Sequence, residues 1–190
     1  MDWQEFIALL VFGSAMSFSP GPNTTLSTAL GANGGLRRAM RFVLAVPVGW
    51  SLLLVLSAAG LGALVTAMPA LGWAIKALGI AYLLWLAWRL SRSASLNSLD
   101  AANLQVGFGQ GVMLQFLNIK AWLLALTLVA GWIAGLPDPW TRFAIVAPVM
   151  VGYALASNFA YALIGSLLRG WLAKGRRLLW FNRAAAIRSG

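Results

Sequence analysis

The chain has 190 residues, of which 61% are hydrophobic and 9% charged, against about 45–50% apolar and about 25% charged in soluble domains. So few charges cannot cover a water-facing surface, and with a mean hydropathy of +0.81 the composition excludes a soluble globular domain. The net charge of +10 reads as a membrane topology signal rather than a nucleic-acid footprint, because there is no soluble basic domain to hold a duplex.

A membrane-spanning helix needs about 20 mostly apolar residues, and five segments qualify. The chain opens Met1-Asp2-Trp3-Gln4-Glu5, without the basic region of a secretory signal, so the first apolar segment is expected to remain as a span. It runs from Phe6 to Leu30 and is interrupted by Pro20-Gly21-Pro22. A Gly- and Arg-rich loop is expected over Gly31 to Arg41. The second span covers Phe42 to Thr66, and Ala67 to Ala70 form a tight turn. The third covers Leu71 to Leu90. Ser91 to Gln105 is a flexible polar connector. The fourth covers Val106 to Gly135, Leu136 to Pro139 turn the chain, and the fifth covers Phe143 to Leu168. The expected fold is all-α: a single polytopic transmembrane helix bundle over residues 1–190. Residues 171–190 form either a basic cytoplasmic tail lying on the membrane or the approach to a sixth span.

Eleven basic residues fall on one side of these spans: Arg37, Arg38, Arg41, Arg89, Arg92, Arg169, Lys174, Arg176, Arg177, Arg183 and Arg188. Arg142 stands on the other side with Asp2, Glu5 and Asp138. The positive-inside rule therefore puts the N-terminus outside and the tail in the cytoplasm.

No His or Cys is present, and the four acids, Asp2, Glu5, Asp100 and Asp138, are scattered. Thiol chemistry, His bases, disulfides and metal held by His or Cys are excluded. No cofactor, no metal site and no enzyme are expected, since no nucleophile–base pair exists.

Polar residues inside the spans carry the functional signal. Ser19-Pro20-Gly21-Pro22-Asn23-Thr24 breaks a hydrophobic helix with two prolines. Freed backbone groups in hydrocarbon must find partners, so such a break belongs in protein or beside a water-filled cavity. Transporters use broken-helix ends to hold charged substrate groups; a plain packing kink is the alternative. Gln115, Asn118 and Lys120 set an amide-rich patch beside a cation in the fourth span. Lys120 lies roughly 21 Å into that segment at 1.5 Å per residue. It either snorkels outward or faces a cavity. Lys76, near the outer end of the third span, fits snorkelling better. In the fifth span Tyr153, Ser157 and Tyr161 share one helix face with Asn158 beside it. That stripe is either interhelical glue or a substrate wall. Gly131 and Gly135 have the G-x-x-x-G spacing of helix dimer faces, the chain's one hint of a homodimer.

The opening motif, Ser19-Pro20-Gly21-Pro22-Asn23, resembles that of the lysine exporter and homoserine/threonine-resistance family of bacterial amino-acid exporters. Gly34 to Arg41, Lys76 to Leu86 and Asn118-Ile119-Lys120 fit the same family in order and spacing, and the likeness covers roughly Phe6 to Arg183. The resemblance implies a six-span protein of the bacterial inner membrane that exports amino acids on the proton gradient. Two features depart from the family pattern. Asn118-Ile119-Lys120 stands where the family often has Asn-Pro-Lys, so the fourth span is expected to be straighter. Exporters of the cysteine/O-acetylserine kind share that form, which points to small neutral substrates. The family's sixth span is expected after Phe181-Asn182-Arg183, close to where this sequence ends.

The expected function is export of a small amino acid by alternating access. The substrate site is expected at Ser19, Pro20, Gly21, Pro22, Asn23, Thr24, Gln115, Asn118, Lys120, Tyr153, Ser157 and Asn158. No Asp, Glu or His falls inside a span, so a transported proton would ride on Lys120, on Lys76 or on the substrate. The residues alone equally admit facilitated export. The alternative, favoured by the expected lack of a sixth span, is a non-transporting membrane scaffold or an inactive truncated relative. The partners expected are an amino acid, protons and the lipid bilayer.

Overall fold

The computed structural model describes residues 1–60 and 106–172, with residues 68, 70, 74, 77, 81 and 84 between them. Lys76, most of the third predicted span, the 91–105 connector and the tail beyond Leu172 lie outside the described residues.

Every regular element among the described residues is helical. They are α1 (Trp3–Phe18), α2 (Pro22–Gly34), α3 (Leu36–Ala58), α4 (Phe108–Leu117), α5 (Ile119–Leu128) with a π-helical turn at Val129–Ile133, and α6 (Pro139–Leu172). The chain is a polytopic helical membrane protein. Leu36–Ala58 and Pro139–Arg169 are each long and apolar enough to cross a bilayer, and α4 with α5 passes that test as a pair bent by 70°.

Local chemistry sets the helix ends. Asp2 and Glu5 cap α1 reciprocally: Glu5 N–H donates to Asp2 Oδ1 at 2.7 Å and Asp2 N–H to Glu5 Oε2 at 3.0 Å, a capping box. Pro20 bars Ser19 from helical geometry, and Ser19 is extended at φ −65°, ψ 137°. Pro22 then opens α2, where its missing N–H costs nothing. The first predicted span is thus two helices of 16 and 13 residues, each too short to cross alone. The expected loop over Gly31 to Arg41 is a single residue. Gly35, at φ +78°, turns the chain in the left-handed region that glycine enters without strain. α3 therefore starts at Leu36, and Arg37, Arg38 and Arg41 ride on its first turns.

The short helix α2 packs almost entirely on protein. A Cβ at Gly31 would collide with the Ala162 carbonyl oxygen, and one at Gly165 with the Thr28 carbonyl oxygen, so α2 and α6 cross backbone to backbone. The apolar core forms two clusters. One gathers Leu9, Trp50, Leu53, Leu54, Leu128, Val146 and Met150; the other gathers Leu26, Leu30, Phe42, Val43, Val46 and Ala162. They meet between Val46 and Trp50 on α3 and between Met150 and Ala154 on α6, close to the midpoints of both continuous spans. On the outer face of α3, Leu44, Val48, Leu52 and Val55 are exposed. This apolar exterior suits lipid rather than water. A Cβ at Gly131 or Gly135 would meet nothing within 4 Å.

Candidate functional site

The C-terminal end of α1 shows where the broken backbone finds partners. A helix leaves its last carbonyls without intrahelical donors. Here the Ser19 hydroxyl donates to Met16 O at 2.8 Å, and Tyr161 Oη donates to Phe18 O at 2.9 Å. Lys120 Nζ donates to Ser19 O at 3.1 Å and to Ser19 Oγ at 2.7 Å. A cation thus sits at the carbonyl end of α1, the favourable pole of its dipole. On the other side of the break, Thr24 Oγ1 accepts from Gly21 N–H at 2.9 Å and closes the first turn of α2.

The second break is at Asn118. The expectation of a straighter fourth span without proline is overturned by the 70° bend. Asn118 is extended at φ −92°, ψ 100°, and its side chain accepts from Lys120 N–H at 3.1 Å. It acts as the N-cap of α5, a role that suits Asn. Trp122 Nε1 donates to Phe116 O at 2.9 Å and so covers a carbonyl that the break exposes. The capping side chain and the indole do the work for which the family pattern uses proline.

The two breaks are tied together. Asn23 Nδ2 donates to Gln115 Oε1 at 2.7 Å, and Gln115 Nε2 returns a bond to Asn23 Oδ1 at 3.2 Å and another to Gly111 O at 3.1 Å. Gln115 is fully buried. Lys120 lies against Gly21, where an added Cβ would come within 3.2 Å of its Nζ.

A cavity of about 60 Å³ lies between the breaks. Its polar wall carries Ser19, Asn23, Thr24, Asn118 and Lys120, joined from α6 by Ser157 and Asn158. Gly21 and Pro22 contribute backbone. Its apolar wall carries Met16, Val46, Trp50, Leu124 and Met150. Lys120 is the one titratable side chain among these lining residues.

Ser19, Gly21, Pro22, Asn23, Thr24, Asn118, Lys120, Ser157 and Asn158 come together here. Pro20 sets the break without lining the cavity, and Gln115 stands behind Asn23. Tyr153 is elsewhere: its hydroxyl donates to Leu10 O at 3.2 Å. With Tyr161 it ties α6 to α1. Asn158 also serves packing, since Ser27 Oγ donates to its Oδ1 at 2.8 Å. Trp50, Val46, Met16 and Met150 are cavity residues that the sequence reading missed. One signal for Trp50 was available: it stands in the middle of a span, whereas membrane tryptophans gather at the interfaces.

The bundle ends differ in charge. An added Cβ at Gly35 would sit 3.1 Å from Arg169 Nη1, so the α2–α3 turn with Arg37 and Arg38 adjoins the end of α6. At the other end Arg142 Nη2 pairs with Glu5 Oε2 at 3.1 Å, and Arg142 Nε donates to Pro137 O at 3.0 Å. Trp132 Nε1 donates to Glu5 O at 3.1 Å. Glu5 precedes the apolar run that starts at Phe6. The Asp2 backbone N–H, and after it the Arg142 guanidinium, hold its carboxyl below the usual range.

Comparison with known proteins agrees with this architecture. A cysteine/O-acetylserine efflux protein of Klebsiella pneumoniae is 29% identical over 185 residues, covering 95% of this chain and 92% of the relative. One of Salmonella choleraesuis is 28% identical over 167 residues, covering 85% and 83%. An uncharacterized membrane protein of Vibrio cholerae is 26% identical over 190 residues, covering 96% and 91%. No solved structure matches the chain. The relatives are bacterial membrane proteins, and this chain is a multi-pass protein of the bacterial inner membrane. The LysE type translocator model matches residues 14–188, from within α1, through both helix breaks and into the basic tail, and the chain belongs to that family.

Proposed function

We propose that the protein exports a small neutral amino acid, of the kind named for its cysteine/O-acetylserine efflux relatives, through the cavity between the two breaks. The observation that carries this reading is the convergence of both broken helices on one mid-height cavity, joined by the contact of Lys120 with Ser19. An amino acid is a zwitterion and needs a cation and an acceptor about one molecule apart. Lys120 is the cation, and the Ser19 carbonyl at the end of α1 is the acceptor. In the structure these two groups meet directly, Lys120 Nζ donating to Ser19 O at 3.1 Å. A bound substrate replaces that contact twice over: its carboxylate takes the Lys120 ammonium, and its own ammonium takes the Ser19 carbonyl.

Substrate binding therefore exchanges the two hydrogen bonds from Lys120 to Ser19, which join α5 to the end of α1, for bonds to the ligand. This exchange frees the halves to move relative to one another, as alternating access requires. The Arg37, Arg38 and Arg169 end faces the cytoplasm by the positive-inside rule. Glu5 and Arg142 close the opposite end. Proton coupling runs through Lys120, the one titratable side chain among the residues lining the cavity.

Uptake of labelled O-acetylserine into everted membrane vesicles tests the reading. Lys120→Ala is expected to abolish uptake at normal protein level in the membrane. Undiminished uptake by this variant refutes the site.

A further inference from the structure

We propose that the turn between α2 and α3, together with the end of α6, binds the phosphate of an anionic phospholipid through Arg38 and Arg169. The site is separate from the cavity, and it stands or falls independently of the transport reading.

Two arginine side chains from distant parts of the chain lie against adjacent glycines. A Cβ at Gly34 would come within 3.1 Å of Arg38 Cβ and 3.3 Å of its Cδ, so the Arg38 stem runs along the turn. A Cβ at Gly35 would come within 3.1 Å of Arg169 Nη1. Among the described residues neither guanidinium has a hydrogen bond or an ion pair, and the one salt bridge, Arg142 with Glu5, is at the opposite end of the bundle. The elements that build the turn cannot supply a counter-charge either, since α2, α3 and α6 contain no Asp or Glu. Arg37 and Arg38 also stand in the first turn of α3, at the positive pole of its dipole, where a cation is disfavoured. Like charges gathered in this way repel, and an anion seated between Arg38 and Arg169 offsets both terms.

The place of the cluster in the bundle says which anion. Arg37 and Arg38 open the span Leu36–Ala58, and Arg169 closes the span Pro139–Arg169. The arginines therefore sit where the apolar segments end, at the level of lipid headgroups and on the side that the positive-inside rule assigns to the cytoplasm. On α6, just toward the membrane centre from Arg169, Ile164, Leu167 and Leu168 are exposed, which gives acyl chains an apolar surface. Trp171, one step beyond Arg169, is exposed too, and tryptophan gathers at the membrane interface. A phosphodiester lipid with a net negative charge matches both parts. Its phosphate oxygens accept charge-assisted hydrogen bonds from the guanidinium groups, and its hydrocarbon covers the exposed leucines. A zwitterionic lipid brings its own cation to the same phosphate and gains less.

The test is binding of dansyl-labelled phosphatidylglycerol to the full chain in neutral detergent micelles, read by energy transfer from tryptophan and displaced by unlabelled compounds. Phosphatidylglycerol is expected to displace the probe saturably and about tenfold better than phosphatidylcholine with the same chains, because one hydrogen bond to a charged group is worth about that factor. Arg38→Gln and Arg169→Gln are each expected to weaken phosphatidylglycerol by a similar factor. Arg38 is exposed, so its variant serves where Arg169→Gln does not accumulate. Arg188→Gln removes one positive charge elsewhere in the sequence and is expected to bind as the wild type does. Equal displacement by phosphatidylcholine, or wild-type affinity in Arg38→Gln, overturns the site. An equal loss in Arg188→Gln overturns it as well, because the attraction is then diffuse. Displacement by glycerophosphoglycerol or inorganic phosphate as effective as by the lipid overturns the lipid assignment and makes the cluster a site for a free anion.

Discussion

The amide pair between Asn23 and Gln115 ties the first break to α4, and its contribution can be measured by a double-mutant cycle. Gln115 has no solvent exposure, and its Oε1 accepts from Asn23 at 2.7 Å. Asn23→Ala strands that oxygen in the interior, which costs about 1–3 kcal/mol. Gln115→Ala strands the Asn23 amide in turn and also leaves a void beside Gly49, against which the Gln115 side chain packs. In the double variant neither orphan remains, so its loss is smaller than the two single losses added. Contacting pairs couple by about 0.5–3 kcal/mol, while bonds between membrane helices average only about 0.6 kcal/mol. With two reciprocal bonds the expected coupling is about 1–2 kcal/mol. The chain has no Cys, so a single thiol introduced at the buried Ala125 reports unfolding in mixed micelles by its labelling rate. Losses that add within about 0.3 kcal/mol refute the pairing. Uptake by Asn23→Ala is expected to recover at lower temperature as the fold recovers. A variant that is fully folded yet fails to bind substrate would instead make Asn23 a direct ligand.

Lys120→Arg keeps a charge that cannot be released in a protein; it is expected to lose pH-driven uptake in vesicles while retaining part of substrate binding, and full pH-driven uptake removes Lys120 from the proton path. Gly165→Leu forces a side chain into the Thr28 carbonyl, and overpacking of this kind costs about 1–3 kcal/mol or more, so the variant should accumulate poorly and unfold at lower temperature; wild-type stability would disprove the close crossing of α2 and α6. The Glu5 carboxyl is held below its ordinary range, first by the Asp2 backbone N–H and then by Arg142, so its stabilisation is present above the ordinary carboxylate range and disappears as pH falls through the lowered value. Unfolding followed against pH should show this acid loss in the wild type and a smaller one in Glu5→Gln; identical pH profiles contradict it.

Membrane insertion, the first break and the charge asymmetry of the bundle were legible in the sequence because each depends on chemistry that does not need a partner. Hydrocarbon rejects charge wherever it is, and Pro20 removes a donor and restricts Ser19 in any context. The one-residue turn at Gly35 was not legible: Gly-rich segments fit a loop as well as a helix end, and packing of α2 on α6 made the choice. The bend at Asn118 was not legible either. Asn caps a helix only if the freed groups are satisfied, and here the indole of Trp122 and the N–H of Lys120 complete the break. The site itself belongs to the tertiary structure. Lys120 meets Ser19 across 101 positions, Asn23 meets Gln115 across 92 and Ser27 meets Asn158 across 131. The sequence offered these polar groups within apolar spans, where water cannot satisfy them. Which donor met which acceptor was decided by how the helices packed.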